Sequence, residues 1–529
     1  MWDTVARCAR SEIAVQLFPT RPAVNVAVAA LGAMAVGMAA RLPAVVAWGG
    51  AMIAGLAWAY AVTRLSVLHL RAAGLEMVWQ ASQRVRHVAR GSEFDVTVEL
   101  KNRDVAPVRY VALRAVASSE LSVEPDRGEG VINAGAKHTV RLAIRAPRVG
   151  KLCIHGLAFE VRGPFGLFEV PLAFANPIGI HVTARPFAAM ASSARGGRSR
   201  VTAAAGAPDP HPGPGTDLYE LRELVSGDPF KRIAWKASAR RGRLMVRELE
   251  REDRDVVWIV LDASVDLWGG PLGRAPLDYG IDEAAAIAHR HLTRGDRVGL
   301  AVVGASPMSW LSPARGPAHA MRIADLLVTG TATHDADRSD YDEADVARRV
   351  LDHLRFLDAG AVAALRAEQL ESLQAYAEMQ RTRAPYDVPA PWAPTPREQS
   401  LRRYLACSGI TPPPRLGGDR ARAMGLLIQA LERALTDKPR ASLVYVWSAP
   451  PERAVPALAT AVRKLLRRGI AVRWIPAPIE RGVDPGVAEL ARIAAEAVVM
   501  RARIARERGE RVLLSMGVRL ARKERRLPE

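Results

Sequence analysis

Asp255-Val-Val-Trp-Ile-Val-Leu-Asp262 decides the fold. A nearly continuous apolar run of this length, closed by a carboxylate at each end, reads as a strand and opens an alternation of strands and helices. Downstream the pattern alternates. A helix is expected over 281–294, a strand over 297–304, a short strand over 308–311 and a helix over 317–328. Farther on come a strand over 442–447, a helix over 453–468, a strand over 470–475 and a helix over 486–508. Strands alternating with helices predict a doubly wound, mostly parallel α/β domain, assigned to 251–330 and 441–529. The intervening 331–440 shows no strand pattern. It reads as a helical insertion, with a long helix from Glu343 to Arg383, a proline-rich stretch from Ala384 to Pro396, and helices around Leu401 and Met424. Such a lobe either docks a partner or covers the sheet it interrupts.

Upstream, residues 217–250 are dense in local signals. Asp228 can cap a helix whose first position is Pro229, and Gly242 can end it. On a continuous helix Phe230, Ile233, Ala234 and Ala237 share one face, whereas Trp235 sits about 140° away at 100° per residue, near Lys231 and Arg232. Trp235 therefore either packs on a neighbouring layer or anchors a partner within a basic rim of Lys231, Arg232, Lys236 and Arg240. Residues 188–216 are rich in Ala, Gly, Ser and Pro and read as a flexible linker. Across 66–187 the period changes to two, as in Phe94-Asp-Val-Thr-Val-Glu-Leu100 and Thr139-Val-Arg-Leu-Ala-Ile144, which predicts an all-β sandwich.

Residues 1–65 differ from all of this. Nineteen residues from Pro22 to Ala40 carry no charge, and after Arg41 a further twenty-two, Leu42 to Thr63, carry none. As helices they span about 28 Å and 33 Å, against about 30 Å of hydrocarbon, so a transmembrane hairpin is expected. Arg7, Arg10 and Arg21 precede it and Arg64, Arg71, Arg84, Arg86 and Arg90 follow, while the turn holds Arg41 alone. The positive-inside rule then places both ends, and the soluble domains, in the cytoplasm.

The net charge of +19 is diffuse, with one basic tail beyond residue 440. Residues 480–529 contain no Phe, Trp or Tyr to stack on bases, so nucleic acid is not expected as a partner, and anionic lipid headgroups of the bilayer suit the charge better. Cys8, Cys153 and Cys407 are odd in number and far apart, which removes disulfide frameworks and zinc ribbons from consideration.

The signature segment resembles the bacterial membrane proteins that carry domain of unknown function 58. The residues concerned are Arg222-Glu223, Gly227-Asp228-Pro229, Arg232-Ile233, Trp235-Lys236-Ala237, Ala239-Arg240, Gly242, Leu244 and Val246-Arg247-Glu248. Gly163-Pro-Phe-Gly-Leu-Phe168 is similar to the element that closes the family's β domain, with Gly163 where the family has Asp. The resemblance spans about 20–330 and 440–476. It implies a membrane hairpin, a β-sandwich, a von Willebrand factor type A-like domain and a MoxR-type AAA+ ATPase as neighbour and partner.

Type A domains often hold Mg²⁺ with an Asp-x-Ser-x-Ser loop after the first strand, a Thr and a further Asp, since hard cations take oxygen ligands. Here Asp262-Ala-Ser264-Val-Asp266 keeps the first two ligands and changes the third to Asp, and Ala449 stands where the later Asp would be. The loop is thus either a Mg²⁺ site built on Asp262, Ser264 and Asp266 or a degenerate sheet-top turn without a cofactor. No phosphate loop, His-Glu-x-x-His or Gly-x-Ser-x-Gly motif occurs in the chain. His289 and His291, two apart, are expected on the surface of their helix. No catalytic residue emerges, and the expectation is a non-catalytic interaction protein, with a metal-dependent binding domain or an unrecognised enzyme as alternatives.

Overall fold

The computed structural model describes residues 16–80, 83–187, 208–225, 228, 230–252, 255–304, 308–415, 417, 420–478 and 489–521. A short strand β1 (Phe18–Pro19) leads into helices α1 (Arg21–Ala39) and α2 (Pro43–Ala73). Both begin with proline in the first turn, where the missing N–H costs nothing, and Thr20 caps α1 by accepting the Ala23 amide. By length and composition both are apolar enough to cross a membrane. The last turns of α2 have a different task, since Val67 and Leu70 are buried in the core of the β domain that follows.

That domain comprises β2 (Leu75–Trp79), β3 (Val85–Ala89), β4 (Glu93–Asn102), β5 (Val108–Ala117), β6 (Ser122–Pro125), β7 (Gly130–Ile132), β8 (Lys137–Arg145), β9 (Gly150–Arg162) and β10 (Phe168–Thr183). One sheet runs β1-β10-β9-β5-β7 with β3 beside β10, the other β2-β4-β8-β6. Alternate residues of β4 and β8 point inward, and Val98, Leu100 and Leu142 of one sheet share a core with Leu157, Phe159 and Ile180 of the other. The sandwich read from the period of two is present. Strand β9 breaks that period, because it is buried without interruption from Leu152 to Phe159.

The chain continues through β11 (Pro208–Glu223), α3 (Trp235–Arg241) and β12 (Met245–Glu252), β11 and β12 pairing antiparallel. Of the expected linker 188–216, residues 188–207 lie outside the described residues, and 208–216 form the first half of β11. Next come β13 (Val256–Asp262), α4 (Pro276–Thr293), β14 (Arg297–Val303), β15 (Ser309–Ala314) and α5 (Pro317–Thr329). Helices α6 (Glu343–Leu357), α7 (Leu370–Arg381), α8 (Pro396–Cys407) and α9 (Arg420–Thr436) follow, then β16 (Leu443–Ser448), α10 (Pro456–Arg467), β17 (Ala471–Pro476), α11 (Glu489–Ser515) and β18 (Arg519–Leu520). The sheet order is β15-β14-β13-β16-β17-β18, parallel except for β15. The run that decided the fold is an interior strand, paired on both edges.

Two compact units result, residues 1–183 with 332–415 and residues 184–331 with 416–529. The insertion expected over 331–440 therefore divides. Helix α9 belongs to the α/β unit and buries Leu427, Ala430 and Leu431 against Val260 and Val444 of the sheet. Residues 332–415 pack instead on the β-sandwich, within the first unit. The single helix expected from Glu343 to Arg383 is two, because at Asp358 the backbone leaves helical geometry with φ −156°.

This packing explains β9. Its outer face lies under the lobe: Phe356 meets Val116 and Ala158, Tyr386 donates its hydroxyl to the Leu152 carbonyl (2.6 Å), and Ser118 Oγ donates to the Gly409 carbonyl (2.5 Å). Inside the lobe Arg402 is fully buried, bonded to Glu398 (2.7 Å) and to the carbonyls of His334 and Tyr341. At the contact, His353 Nε2 and His155 Nδ1 share a hydrogen bond (3.1 Å), and His353 Nδ1 meets the Tyr404 hydroxyl (2.9 Å). Burial pushes His155 down to about 4 and His353 well below its ordinary value, so both are neutral at pH 7.

Below pH 6.5 the unfolded chain therefore takes up protons that the folded one refuses, and stability falls until the pH reaches about 4. His334, likewise held down to about 4 by burial, adds to the effect. We expect the melting temperature to drop between pH 7 and pH 5, and to drop less in His155→Phe. An equal drop in that variant would show that the pair does not carry the dependence.

Candidate functional site

Two places gather the residues singled out in the sequence, and both lie in the α/β unit. The first is the signature segment, which folds on itself through backbone bonds from Leu224 N to Leu244 O (2.9 Å) and from Ala234 N to Met245 O (2.8 Å), with a bridge between Ile233 and Val246. Arg222 grips Asp228 with two 2.7 Å bonds, and Asp228 Oδ2 also accepts the Val225 amide (2.9 Å). Asp228 is thus a loop clamp and not the helix cap expected from the sequence. Ser238 Oγ accepts the Met245 amide (2.8 Å) and donates to the Ala234 carbonyl (3.0 Å). These signature residues hold the segment's shape.

The helix expected from Pro229 to Arg241 is interrupted. Phe230–Arg232 form a 3-10 turn, Ile233 joins the β-bridge, and α3 begins only at Trp235 and ends at Gly242 in the left-handed conformation. The break changes which side chains face inward. Ile233 and Ala234 are buried as expected, but Phe230, expected on the buried stripe, is 78% exposed. Trp235 is 63% exposed, and Val225 and Leu244 are exposed as well. Lys231, Lys236 and Arg240 are exposed beside them; Arg232 lies in the 3-10 turn and its side chain is outside the described residues. Pattern reading found Trp235 but missed Phe230, because it assumed one unbroken helix.

The second place is the top of the sheet, where β13 and β16 end side by side at the point where strand order reverses, the usual position of ligands in open α/β sheets. Asp262 is buried there. Its Oδ2 accepts the Ser448 hydroxyl (2.6 Å) and its Oδ1 the Ser264 amide (2.9 Å). Burial pushes the Asp262 carboxyl up, against the pull of Ser448 and Ser264. Gly304, at φ +143°, passes so close that a Cβ would lie 2.5 Å from the Ser264 nitrogen, which keeps the loop tight. Asp266, in the following 3-10 turn, faces Arg420 (3.5 Å), which also pairs with Glu452 (3.0 Å).

These residues do not fit a hard cation. Asp262 is desolvated with both oxygens hydrogen-bonded to protein, a guanidinium stands at Asp266, and Ala449 supplies no oxygen side chain. Among the described residues no three His, Cys, Asp or Glu side chains converge as a metal site.

A third cluster escaped the sequence reading. His291, expected on the surface, is buried under α4, with Nδ1 2.7 Å from Asp296 Oδ2 and Nε2 3.4 Å from the Tyr445 hydroxyl. Arg290 (3.2 Å) and Arg473 (3.3 Å) donate to that same hydroxyl. His289, also expected on the surface, is half-buried against Phe187, and His291 is satisfied by a loop carboxylate that no local pattern reveals.

Residues 220–371 match the model of a family described as protein of unknown function DUF58, so the match begins within β11 and takes in the signature segment and the sheet-top loop. An uncharacterized protein of Mycobacterium bovis is 29% identical over 108 residues, covering 20% of this chain and 34% of its own length. An uncharacterized protein of Mycobacterium tuberculosis matches with the same figures. The chain thus spans about a third of the length of the curated relatives it matches. Among solved structures, the ASH/PapD-like domain 7 of human CEP192 aligns at 10% identity over 21% of this chain and 87% of that one, with a TM-score of 0.17.

If Asp262 serves the sheet and not a cation, Mg²⁺ titration leaves the melting temperature unchanged, whereas Asp262→Ala costs about 1–3 kcal/mol by stranding the Ser448 hydroxyl and the Ser264 amide. Denaturant titrations of both proteins, with and without Mg²⁺, test this. A Mg²⁺-dependent rise that the substitution abolishes would restore the metal reading.

Proposed function

We propose that the protein is a membrane-anchored, non-catalytic adaptor whose signature segment docks a protein partner, in keeping with a MoxR-type AAA+ ATPase. One observation carries the reading. Phe230 and Trp235 are left largely in water by a segment whose neighbouring Ile233, Ala234, Met245 and Val246 are buried. A fold able to bury those four gains nothing from displaying two aromatics, and exposed aromatics are the usual anchors of binding surfaces. Lys231, Lys236 and Arg240 form a basic rim suited to an acidic partner, with Arg232 beside them in sequence.

The sheet order supports the type A-like reading of the α/β unit. Counted along the unit, its strands run third, second, first, fourth, fifth, sixth, with only the third antiparallel. In this reading the hairpin α1–α2 serves as the anchor, and the arginine bias supports a cytoplasmic position for the soluble units of a bacterial membrane protein.

Two experiments test this. In detergent-solubilised full-length protein, Trp235→Ala and Phe230→Ala should each lose about 2 kcal/mol or more of binding to the neighbouring ATPase at unchanged melting temperature. Lost stability, or unaltered capture, would sink the docking role. For topology, alkaline phosphatase fused after residue 90 should be inactive and green fluorescent protein at the same point bright; the opposite pattern reverses the orientation.

A further inference from the structure

The motif Gly163-Pro-Phe-Gly-Leu-Phe168 takes no part in the docking reading, yet the structure fastens it to the hairpin. It is the turn between β9 and β10. Thr20, which caps α1, donates its hydroxyl to the carbonyls of Gly166 (3.0 Å) and Leu167 (3.1 Å), and its amide reaches the Leu167 carbonyl as well (2.9 Å). Strand β1 pairs Phe18 with Glu169 and Pro19 with Phe168. From α2, Tyr60 meets Phe168 edge to face at 5.5 Å, and Thr63 stands so near Gly163 that a Cβ there would come within 2.4 Å of its hydroxyl oxygen.

These contacts fix a height. At the ends away from the Arg41 turn, Arg21 and Arg64 are the first charged residues outside the two uncharged runs, and both are exposed. Thr20 and Thr63, which hold the turn, each adjoin one of them. The turn therefore lies at the level where both helices leave the hydrocarbon. At its tip Pro164 and Phe165 project into the surroundings, Phe165 with 55% of its surface exposed. The flanking carboxylate of Glu169 is neutralised by Arg162 at 2.6 Å. An aromatic ring at this level, beside apolar helices and away from free negative charge, suits the zone of lipid headgroups and first acyl carbons.

We propose that the Gly163–Phe168 turn is a second membrane contact, in which Phe165 inserts among the lipids beside the hairpin and holds the β-sandwich at a fixed height on the bilayer. The inference rests on the membrane reading of the hairpin, and its test separates the two.

The full chain carrying Cys8→Ser, with Cys153 and Cys407 buried away from label, is given one new cysteine, labelled with a small fluorophore and reconstituted into phosphatidylethanolamine–phosphatidylglycerol vesicles. The sites are Phe165→Cys, Leu31→Cys within α1, and Ser119→Cys. Ser119 follows β5, whose far end at Ala117 pairs with Ile154, while its near end at Arg109 pairs with Arg162 beside the turn. Lipids spin-labelled high on the acyl chain should quench the label at 165 several-fold more than at 119, and deeper spin labels should quench the label at 31. Quenching at 31 with none at 165 overturns the inference and leaves the anchor standing. Quenching at neither site overturns both. To guard against a perturbing label, Pro164→Cys serves as a second reporter with Phe165 intact, and it should be quenched like 165; a water-exposed signal from it counts against the proposal.

Discussion

The seam between β13 and β16 is the contact on which the α/β unit depends, and it is clasped at both ends by a serine hydroxyl and an aspartate. At the lower end Ser442 Oγ donates to Asp255 Oδ1 (2.8 Å) and accepts the Val256 amide (3.1 Å); at the upper end Ser448 Oγ donates to Asp262 Oδ2 (2.6 Å). The two strands are separated by about 180 residues of sequence, so pairing them costs on the order of 4–5 kcal/mol of chain entropy before any contact rewards it. The clasps also fix the register, the upper one buried and the lower one half-buried, since a slip of one residue would leave the buried Asp262 carboxylate without its partner. This is why Asp262 is poorly placed to serve a cation: its oxygens already hold the sheet together.

The same excursion explains where the lobe goes. A chain that leaves the sheet after α5 and returns at α9 must bury its own apolar faces elsewhere, and the outer face of β9 accepts them. The lobe's interior is set by polar pairing as much as by packing. Arg402 and Glu398 are buried together, and the remaining guanidinium nitrogens are taken by two carbonyls. Removing one member of such a pair typically costs about 3–5 kcal/mol because it leaves a charge without compensation.

What the sequence disclosed follows from how local each signal is. The apolar run at 256–261, the period of two in β4 and β8 and the uncharged runs of the hairpin are properties of single segments, and each element was legible. The unbroken burial of β9 was not legible within its own segment, because its cause lay about 200 residues away in His353 and Phe356. In the signature segment the place of Trp235 off the buried stripe could be foreseen, whereas the exposure of Phe230 beside it could not. A helical wheel places Phe230 inside only if residues 229–241 form one helix, and the bridge from Ile233 to Val246 interrupts that helix through a tertiary contact. Asp262, Ser264 and Asp266 do lie together at the top of the sheet, as the motif implied, but Arg420 and Ser448, from distant segments, decide what they do there.

Magnitudes constrain how the proposed adaptor would work. Fully covering Phe230 and Trp235 yields roughly 1.5–3 kcal/mol each. Association from dilute solution costs at least about 4 kcal/mol in lost translation and rotation before side chains are ordered. Two aromatics therefore roughly balance that cost and leave little surplus, and an exposed basic rim contributes more to the speed and selectivity of encounter than to its strength. Confinement alters this balance. A hairpin that holds the chain at a bilayer shared with its partner raises the effective concentration, much as a short linker does between two binding modules. On this reading the hairpin belongs to the binding energetics as much as Trp235 does, and a soluble fragment carrying an intact signature segment would bind only weakly.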